Sequence, residues 1–331
     1  MPEEYLINVT PHETRVAVVE NGMLQEIIVE RRRKKGLVGN IYLGRVNRVL
    51  PGMQAAFVDI GLERAAFLHL SDLLNGSRPP GPVSPPADAS PSIADLLASG
   101  DELLVQVTKD ALLGKGARLA ARLSIASRYL VYLPGHPCIG VSQKITEEGE
   151  RERLRQAVIT QRPALASPAE PAEPAPGAMG RERAVQRGPG GYIVRTAAQG
   201  LSEDKLVTDM DFLERLWQTA ARQLPAVPCP GLVFEDLPVV LKTIRNLAAT
   251  EVERVRIDSR ETYEHVVEFA GRYMPDMCEL IEHYTGARPI LELYSVESEI
   301  QRALQRRVEL KSGGHLFIDQ TEAMTTVDVN T

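Results

Sequence analysis

Gly39-Asn-Ile-Tyr-Leu-Gly-Arg-Val-Asn-Arg-Val49, Gln54-Ala-Ala-Phe-Val-Asp-Ile-Gly61 and Ala65-Ala-Phe-Leu-His-Leu-Ser-Asp72 are three short apolar runs divided by turn-forming or charged residues. Runs of this length bounded by Gly, Pro and Asn read as β-strands. Working outward, strands are expected before them at Tyr5 to Val9, Arg15 to Glu20 and Leu24 to Glu30, and after them at Glu102 to Thr108. Short strands at such close spacing suggest a small Greek-key barrel. Further on the pattern turns helical, with amphipathic stretches at Asp209 to Gln223, Leu237 to Thr250 and Glu261 to Tyr273. From Ser295 to Leu310 the apolar positions Val296, Ile300, Leu304 and Val308 recur every four residues, which predicts a helix with one core-facing stripe. Strands at Leu316 to Asp319 and Met324 to Val329 follow.

With 331 residues, 44% of them hydrophobic and 25% charged, the chain reads as a globular protein with more than one core. It contains no run of eighteen apolar residues, and its start lacks the basic flank and apolar stretch of a secretory signal, so a cytoplasmic protein without a membrane span is expected. Cys138, Cys229 and Cys278 are far apart and form no Cys-x-x-Cys pair; they read as reduced thiols. The formal net charge of -6 argues against a general nucleic-acid coat. Its distribution is uneven, however: Arg31, Arg32, Arg33, Lys34, Lys35, Arg45 and Arg48 fall in one stretch that holds no acid. A local positive footprint is one reading, and a solvated charge run is the plain alternative. Two stretches, 77–92 and 163–177, hold eleven of the 23 prolines. Such composition cannot bury a core and lacks backbone donors, so mobile loops are expected there.

The three opening runs together resemble an S1 RNA-binding domain, an OB-fold barrel. Holding single-stranded RNA on such a barrel takes exposed aromatic faces, each contributing roughly 1–3 kcal/mol of base stacking, beside cations for the backbone. Tyr42, Phe57, Phe67, His69, Arg45 and Lys115 supply both kinds of group. Burial in the barrel core is the alternative for any one of the rings.

Two further motifs carry chemistry. Gly190-Gly-Tyr-Ile-Val-Arg-Thr-Ala-Ala-Gln-Gly200 puts a guanidinium and a hydroxyl, Arg195 and Thr196, at the end of a strand. That pair suits a phosphate, although an Arg-Thr pair at a strand end is commonly plain surface. Along Thr326-Val-Asp-Val-Asn330 side chains alternate, so Thr326, Asp328 and Asn330 share one side of the strand. Asp328 is a hard oxygen donor of the kind Mg²⁺ takes, with a structural or surface carboxylate as the bland reading.

Leu6-Ile-Asn-Val-Thr-Pro-His-Glu-Thr-Arg-Val-Ala17, Pro51-Gly-Met-Gln-Ala-Ala-Phe-Val-Asp59, Ser127-Arg-Tyr-Leu-Val-Tyr-Leu-Pro-Gly135, Val308-Glu-Leu-Lys-Ser-Gly-Gly314 and the stretch from Ile318 to Thr331 are similar to the ribonuclease E/G family, most of all its ribonuclease G branch. The resemblance covers the chain apart from the two proline-rich stretches. It implies an α+β fold of several subdomains: an RNase H-like part at 1–36 and 224–288, interrupted by the S1 barrel at 37–126 and a 5′-phosphate sensor subdomain at 127–223. The start of a DNase I-like catalytic subdomain would follow at 289–331.

It further implies an endoribonuclease that cuts single-stranded A/U-rich RNA, is stimulated by a 5′-monophosphate, and serves rRNA processing and mRNA turnover. Phe57, Phe67 and Lys115 match its RNA contacts, and Arg195, Thr196 and Val131 its phosphate pocket. Gln143 stands where ribonuclease E has an Arg, which implies a less cationic surface there. Asp328 matches the family's Mg²⁺ ligand and Asn330 its support. The family's second carboxylate, and the Cys-Pro-x-Cys segment through which the full-length proteins bind Zn²⁺, do not occur before Thr331. The chain is therefore expected to bind RNA and to cleave it little. Homo-oligomerisation is implied for the full-length protein, with a monomer left open for this chain. A noncatalytic S1-type RNA-binding protein is the alternative.

Overall fold

A computed structural model describes residues 3–74, 91–112, 115–163, 190–247, 252–310 and 312–330. The proline-rich stretches, at 77–90 and 164–177, lie outside the described residues. The end of the first is described: Ser92 caps a short helix, its hydroxyl accepting from Ala94 N while Asp95 accepts from Ser92 N at 2.9 Å. The fold is mixed α+β and separates into two compact units, residues 1–35 with 238–331, and 36–237.

In chain order the strands are β1 (Glu3–Val9), β2 (Glu13–Glu20), β3 (Met23–Arg31), β4 (Ile41–Leu50), β5 (Ala55–Asp59), β6 (Ala66–His69), β7 (Glu102–Lys109), β8 (Arg118–Ala120), β9 (Ile125–Ala126), β10 (Leu130–Leu133), β11 (Ile139–Val141), β12 (Gly191–Val194), β13 (Gly231–Phe234), β14 (Val252–Ile257), β15 (Ile281–His283), β16 (Arg307–Glu309), β17 (His315–Gln320) and β18 (Thr325–Asn330). The helices are α1 (Leu70–Leu74), α2 (Ile93–Leu96), α3 (Glu148–Gln161), α4 (Glu203–Gln223), α5 (Val239–Leu247), α6 (Arg260–Tyr273) and α7 (Val296–Ala303).

In the first unit one sheet runs β15-β14-β1-β2-β3, with β1, β14 and β15 parallel and β2 antiparallel to both neighbours. Val16, Ala17, Val18 and Val19 are buried in succession, the mark of a strand covered on both faces. One side packs Leu6, Ala17 and Val19 against Ile290, Leu291 and Val296. β2 and β3 meet in the two-residue turn Asn21-Gly22, both with positive φ, the geometry whose twist matches a hairpin and which glycine adopts without strain. A separate antiparallel sheet, β16-β17-β18, ends the described chain.

The second unit holds a closed barrel of five strands in the order β4-β5-β6-β8-β7 and back to β4, with β6 and β8 parallel. This is an OB-like arrangement. Its interior is Val46, Ala56, Val58, Ala66, Leu68, Leu103, Val105, Val107 and Leu119 with their neighbours. A four-stranded sheet, β11-β12-β10-β9, follows. The long helix α4 packs Leu206, Met210, Leu213 and Leu216, a helical stripe, toward β9 and β10.

Three expectations need correction. The strands before Ile41 do not join the barrel; they form the first unit's sheet with β14 and β15, two strands inside the stretch read as helical. The helix expected over 295–310 ends at Ala303, because Val308 pairs with Leu316 in a hairpin closed by Leu310 N to Gly314 O at 2.8 Å. Leu304, expected in the buried stripe, is 75% exposed.

Candidate functional site

On the barrel, strand alternation sends Ala56, Val58, Ala66 and Leu68 inward, so Phe57 and Phe67 turn outward, each half-buried. They oppose one another in register, with ring centroids 6.1 Å apart and planes at 69°. His69 continues the series, stacked on Phe67 at 6.4 Å and 27°. Arg48 stands opposite Phe57 across β4, and Arg118 opposite Phe67 across β8. The row therefore reads cation, ring, ring, cation.

Its two ends differ. Arg118 is held by Asp72 through contacts of 2.9 and 3.0 Å. Arg48 is exposed and has no acidic partner among the described residues. Lys115 is exposed in the loop leading to Ala117, whose carbonyl accepts from Phe67 N at 2.7 Å. The loop presses close to β6 here: a Cβ on Gly116 would meet the Ala65 carbonyl oxygen at 2.1 Å.

Arg45 and Tyr42 depart from expectation. Arg45 is exposed but bonded to Glu102 on β7 at 3.1 Å, which raises its pKa further and spends part of its charge on a neighbouring strand of the barrel. Tyr42 is a core residue at 6% exposure, its hydroxyl accepting from Asn40 Nδ2 at 3.3 Å, and it presents no free face to a base.

In the four-stranded sheet, Val131 on β10 opposes Ile193 on β12. Arg195, two residues beyond Ile193, continues the same side, while Leu130, Tyr132, Tyr192 and Val194 are buried. Arg195 N donates to the Tyr129 carbonyl at 2.8 Å, and its guanidinium donates to the Ser127 carbonyl. Thr196 is exposed and opens a single 3-10 turn, Thr196–Ala198. Arg128, which sequence reasoning passed over, lies over the Tyr129 ring at 5.6 Å. Gln143 is exposed.

Beneath this sheet Tyr192 is fully buried and bonded to Glu214, which also binds Arg162 at 2.8 and 2.9 Å. Burial, more than the Glu214 contact, pushes the Tyr192 phenol far above its usual value, and burial lifts Tyr132 to about 12. Both phenols therefore stay neutral.

In the last sheet, register puts Glu309, His315 and Asn330 in one row, Arg307, Phe317 and Asp328 in the next, and Asp319 with Thr326 in a third, all on one face. Asn330 Nδ2 donates to Asp328 Oδ2 at 2.8 Å. The other two acids of this face are partnered: Asp319 by Arg306 at 2.6 and 3.0 Å, and Glu309 by Arg307 at 2.9 Å. The Arg306 contact holds the Asp319 carboxyl below its usual range. Asp328 has no cationic partner among the described residues, and it is exposed. No group of three or more His, Cys, Asp or Glu side chains among the described residues is placed to share a metal ion. One exposed hard-oxygen donor nonetheless suits Mg²⁺, which keeps several waters and takes one or two protein carboxylates. His315 and Phe317 join this face only through register, and no motif in the sequence marks them.

No helix among the described residues is long and apolar enough to cross a membrane. The model of the Ribonuclease E/G family matches residues 124–331. Over all 331 residues the chain is 47% identical to Ribonuclease G of Escherichia coli strain K12, spanning 63% of that protein's length. It is 43% identical to Ribonuclease G of Haemophilus influenzae over 328 residues, 62% of that protein, and 33% identical to Ribonuclease E of E. coli strain K12 over 327 residues, 28% of that protein. The family match holds both Arg195-Thr196 and the Asp328–Asn330 pair, and the alignments to the relatives run on through the barrel, so the chain belongs to the ribonuclease E/G family.

Proposed function

We propose that this chain carries the RNA-binding surfaces and part of the active centre of a Mg²⁺-dependent endoribonuclease. In this reading it acts on single-stranded, A/U-rich RNA with a preference for a 5′-monophosphate end, in rRNA processing and mRNA turnover. The observation that carries the reading is Asp328, the acid of its sheet face left without an arginine, oriented by Asn330 inside the region the family model matches. The relatives are named ribonucleases, which fits the same chemistry.

The proposed roles rest on the family resemblance, with the geometry in support. Phe57 and Phe67 stack bases, and Arg48 with Lys115 meets backbone phosphates. Arg195 and Thr196, beside Val131, take the 5′-phosphate through guanidinium and hydroxyl donors. Asp328 would hold Mg²⁺, with Asn330 fixing the carboxylate. When bound, the ion would polarise the scissile phosphodiester and lower the pKa of an attacking water, leaving a 5′-phosphate and a 3′-hydroxyl. The subdomain names follow the same resemblance: the strand order of the first unit supports an RNase H-like part, and the closed barrel supports an S1 domain.

A second reading is a noncatalytic S1-type RNA-binding protein, favoured by the fact that the aromatic row of the barrel needs nothing from Asp328. The separating experiment is Mg²⁺-dependent cleavage of a 5′-monophosphorylated A/U-rich oligonucleotide, beside Asp328→Asn and a 5′-hydroxyl substrate. Cleavage lost in Asp328→Asn supports the nuclease. Binding with no cleavage by either protein supports a chain that holds only part of the nuclease's active centre, provided that Mg²⁺ binding is lost in Asp328→Asn. If neither protein binds Mg²⁺, the binding module is supported instead. Neither binding nor cleavage overturns both for this chain.

A further inference from the structure

Ser127, Tyr129 and Leu130 lie in the turn between β9 and β10, and the Ser127 hydroxyl and two backbone amides of the turn converge on one side chain of α4. The Asp209 carboxylate, between the buried Leu206 and Met210 on that helix, accepts from the Ser127 hydroxyl. It also accepts from Leu130 N at 3.1 Å and, at 3.3 Å, from Tyr129 N. Ser127 N closes the turn on the Leu130 carbonyl at 2.8 Å.

The carbonyls of the same turn serve Arg195. Tyr129 O accepts from Arg195 N at 2.8 Å, and Ser127 O accepts from the guanidinium. Ser127 thus joins two side chains from distant parts of the sequence, through its hydroxyl to Asp209 and through its carbonyl to Arg195. A guanidinium has five donor hydrogens in a rigid fork, so one bond to a fixed carbonyl sets the direction of the rest. Arg195 is exposed and long; without that bond it would sample many rotamers, and ordering it on a ligand would then cost entropy.

A carboxylate so near a proposed phosphate site would ordinarily oppose binding. Here the Ser127 hydroxyl and the Tyr129 and Leu130 amides converge on its Oδ2, so its link to the site runs through the geometry of the turn. We infer that Asp209 is a positioning residue for 5′-phosphate recognition, holding the Ser127–Leu130 turn so that its carbonyls aim Arg195 at the phosphate. The inference rests on the reading of Arg195 and Thr196 as the phosphate pocket.

The experiment is the ratio of affinities for a 5′-monophosphorylated and a 5′-hydroxyl oligonucleotide of the same sequence. It is measured for the unaltered chain, Asp209→Asn, Ser127→Ala, Arg195→Gln and the Asp209→Asn/Arg195→Gln double variant. Asp209→Asn is expected to reduce the 5′-monophosphate preference roughly tenfold, the scale of one charge-assisted hydrogen bond, with 5′-hydroxyl affinity unchanged. Ser127→Ala, a smaller change at the same link, should lose part of the preference, and it carries the test if Asp209→Asn does not fold. The double variant should lose no more than Arg195→Gln alone, because Asp209 acts through Arg195; additive losses overturn the inference. A folded Asp209→Asn or Ser127→Ala that keeps the full preference while Arg195→Gln loses it also overturns the inference and leaves the pocket standing. A preference unchanged in Arg195→Gln overturns the pocket, and the inference with it.

Discussion

Asn330 Nδ2 donates to Asp328 Oδ2 at 2.8 Å, joining two side chains that sit two residues apart on the same face of β18. The bond uses one lone pair of the carboxylate and leaves Oδ1 and the remaining lone pair for a cation. On the same face, Asp319 and Glu309 are already taken by arginines. Asn330→Ala should therefore weaken Mg²⁺ binding roughly tenfold or more, the low end of the loss seen when a group that orients a metal ligand is removed. A calorimetric Mg²⁺ titration checks this. An unchanged affinity would mean that Asn330 does not serve Asp328.

The edge-to-face contact of Phe57 and Phe67 makes a second prediction. Phe57→Ala should cost single-stranded RNA binding about 1–3 kcal/mol, the range for one stacked base. Since the rings touch at 6.1 Å, the double variant should lose less than the sum of the two single losses. Tyr42→Phe, which keeps the core ring and removes only a hydroxyl bonded to Asn40 within the protein, should leave RNA affinity unchanged. Fluorescence anisotropy on one oligonucleotide measures the four variants beside the unaltered chain; a Tyr42→Phe protein that binds as weakly as Phe57→Ala would contradict the assignment.

Arg48 and Arg45 differ in a way that salt dependence can read. Arg45 is bonded to Glu102, whereas Arg48 is exposed beside Phe57 with no acid among the described residues to hold it. Each phosphate neutralised on a single strand contributes about 0.7 to the slope of log affinity against log salt. Arg48→Gln should flatten that slope by about this amount, and Arg45→Gln by less. Equal slopes for Arg48→Gln and the unaltered chain would remove Arg48 from the phosphate track.

The outward side of Phe57 and Phe67 was legible because β5 and β6 alternate cleanly between barrel core and surface. Tyr42 was not, because Ile41, Tyr42 and Leu43 are buried in succession where β4 carries both β7 and β13, and alternation there marks no exposed side. β14 escaped for a related reason: Arg254 and Arg256 interrupt the apolar pattern of Val255 and Ile257, so charge masked a strand buried in the sheet. The four-residue rhythm from Val296 to Val308 spanned a helix end and a hairpin, two elements that a single period cannot distinguish. Asp328 and Asn330 were readable as neighbours on one strand. Glu309 is held by Arg307 on its own strand, but that Asp319 is held by Arg306 depends on the pairing of β16 with β17, and local spacing carries no record of it.

Glu150 gives a prediction about stability. It lies in the first turn of α3, where a negative charge is favoured by the helix end. Its oxygens accept from Arg153 Nε at 2.7 Å and Nη2 at 2.8 Å, and from Gly200 N at 2.8 Å. The Arg153 contact first, then the Gly200 amide, hold its carboxyl at about 2, below the ordinary 4.5. A carboxylate depressed in the folded state stabilises the fold fully above its unfolded pKa, and the contribution disappears as pH falls through the folded value. Glu150→Gln should therefore be less stable than the unaltered chain at neutral pH, with the gap constant down to about pH 5 and closing between there and about pH 2. Urea midpoints measured across that range for both proteins test it. A gap that persists at the acid end would assign the loss to packing or to the Gly200 contact, since a neutral glutamine and a protonated glutamate would then still differ, and the ion pair would have contributed nothing.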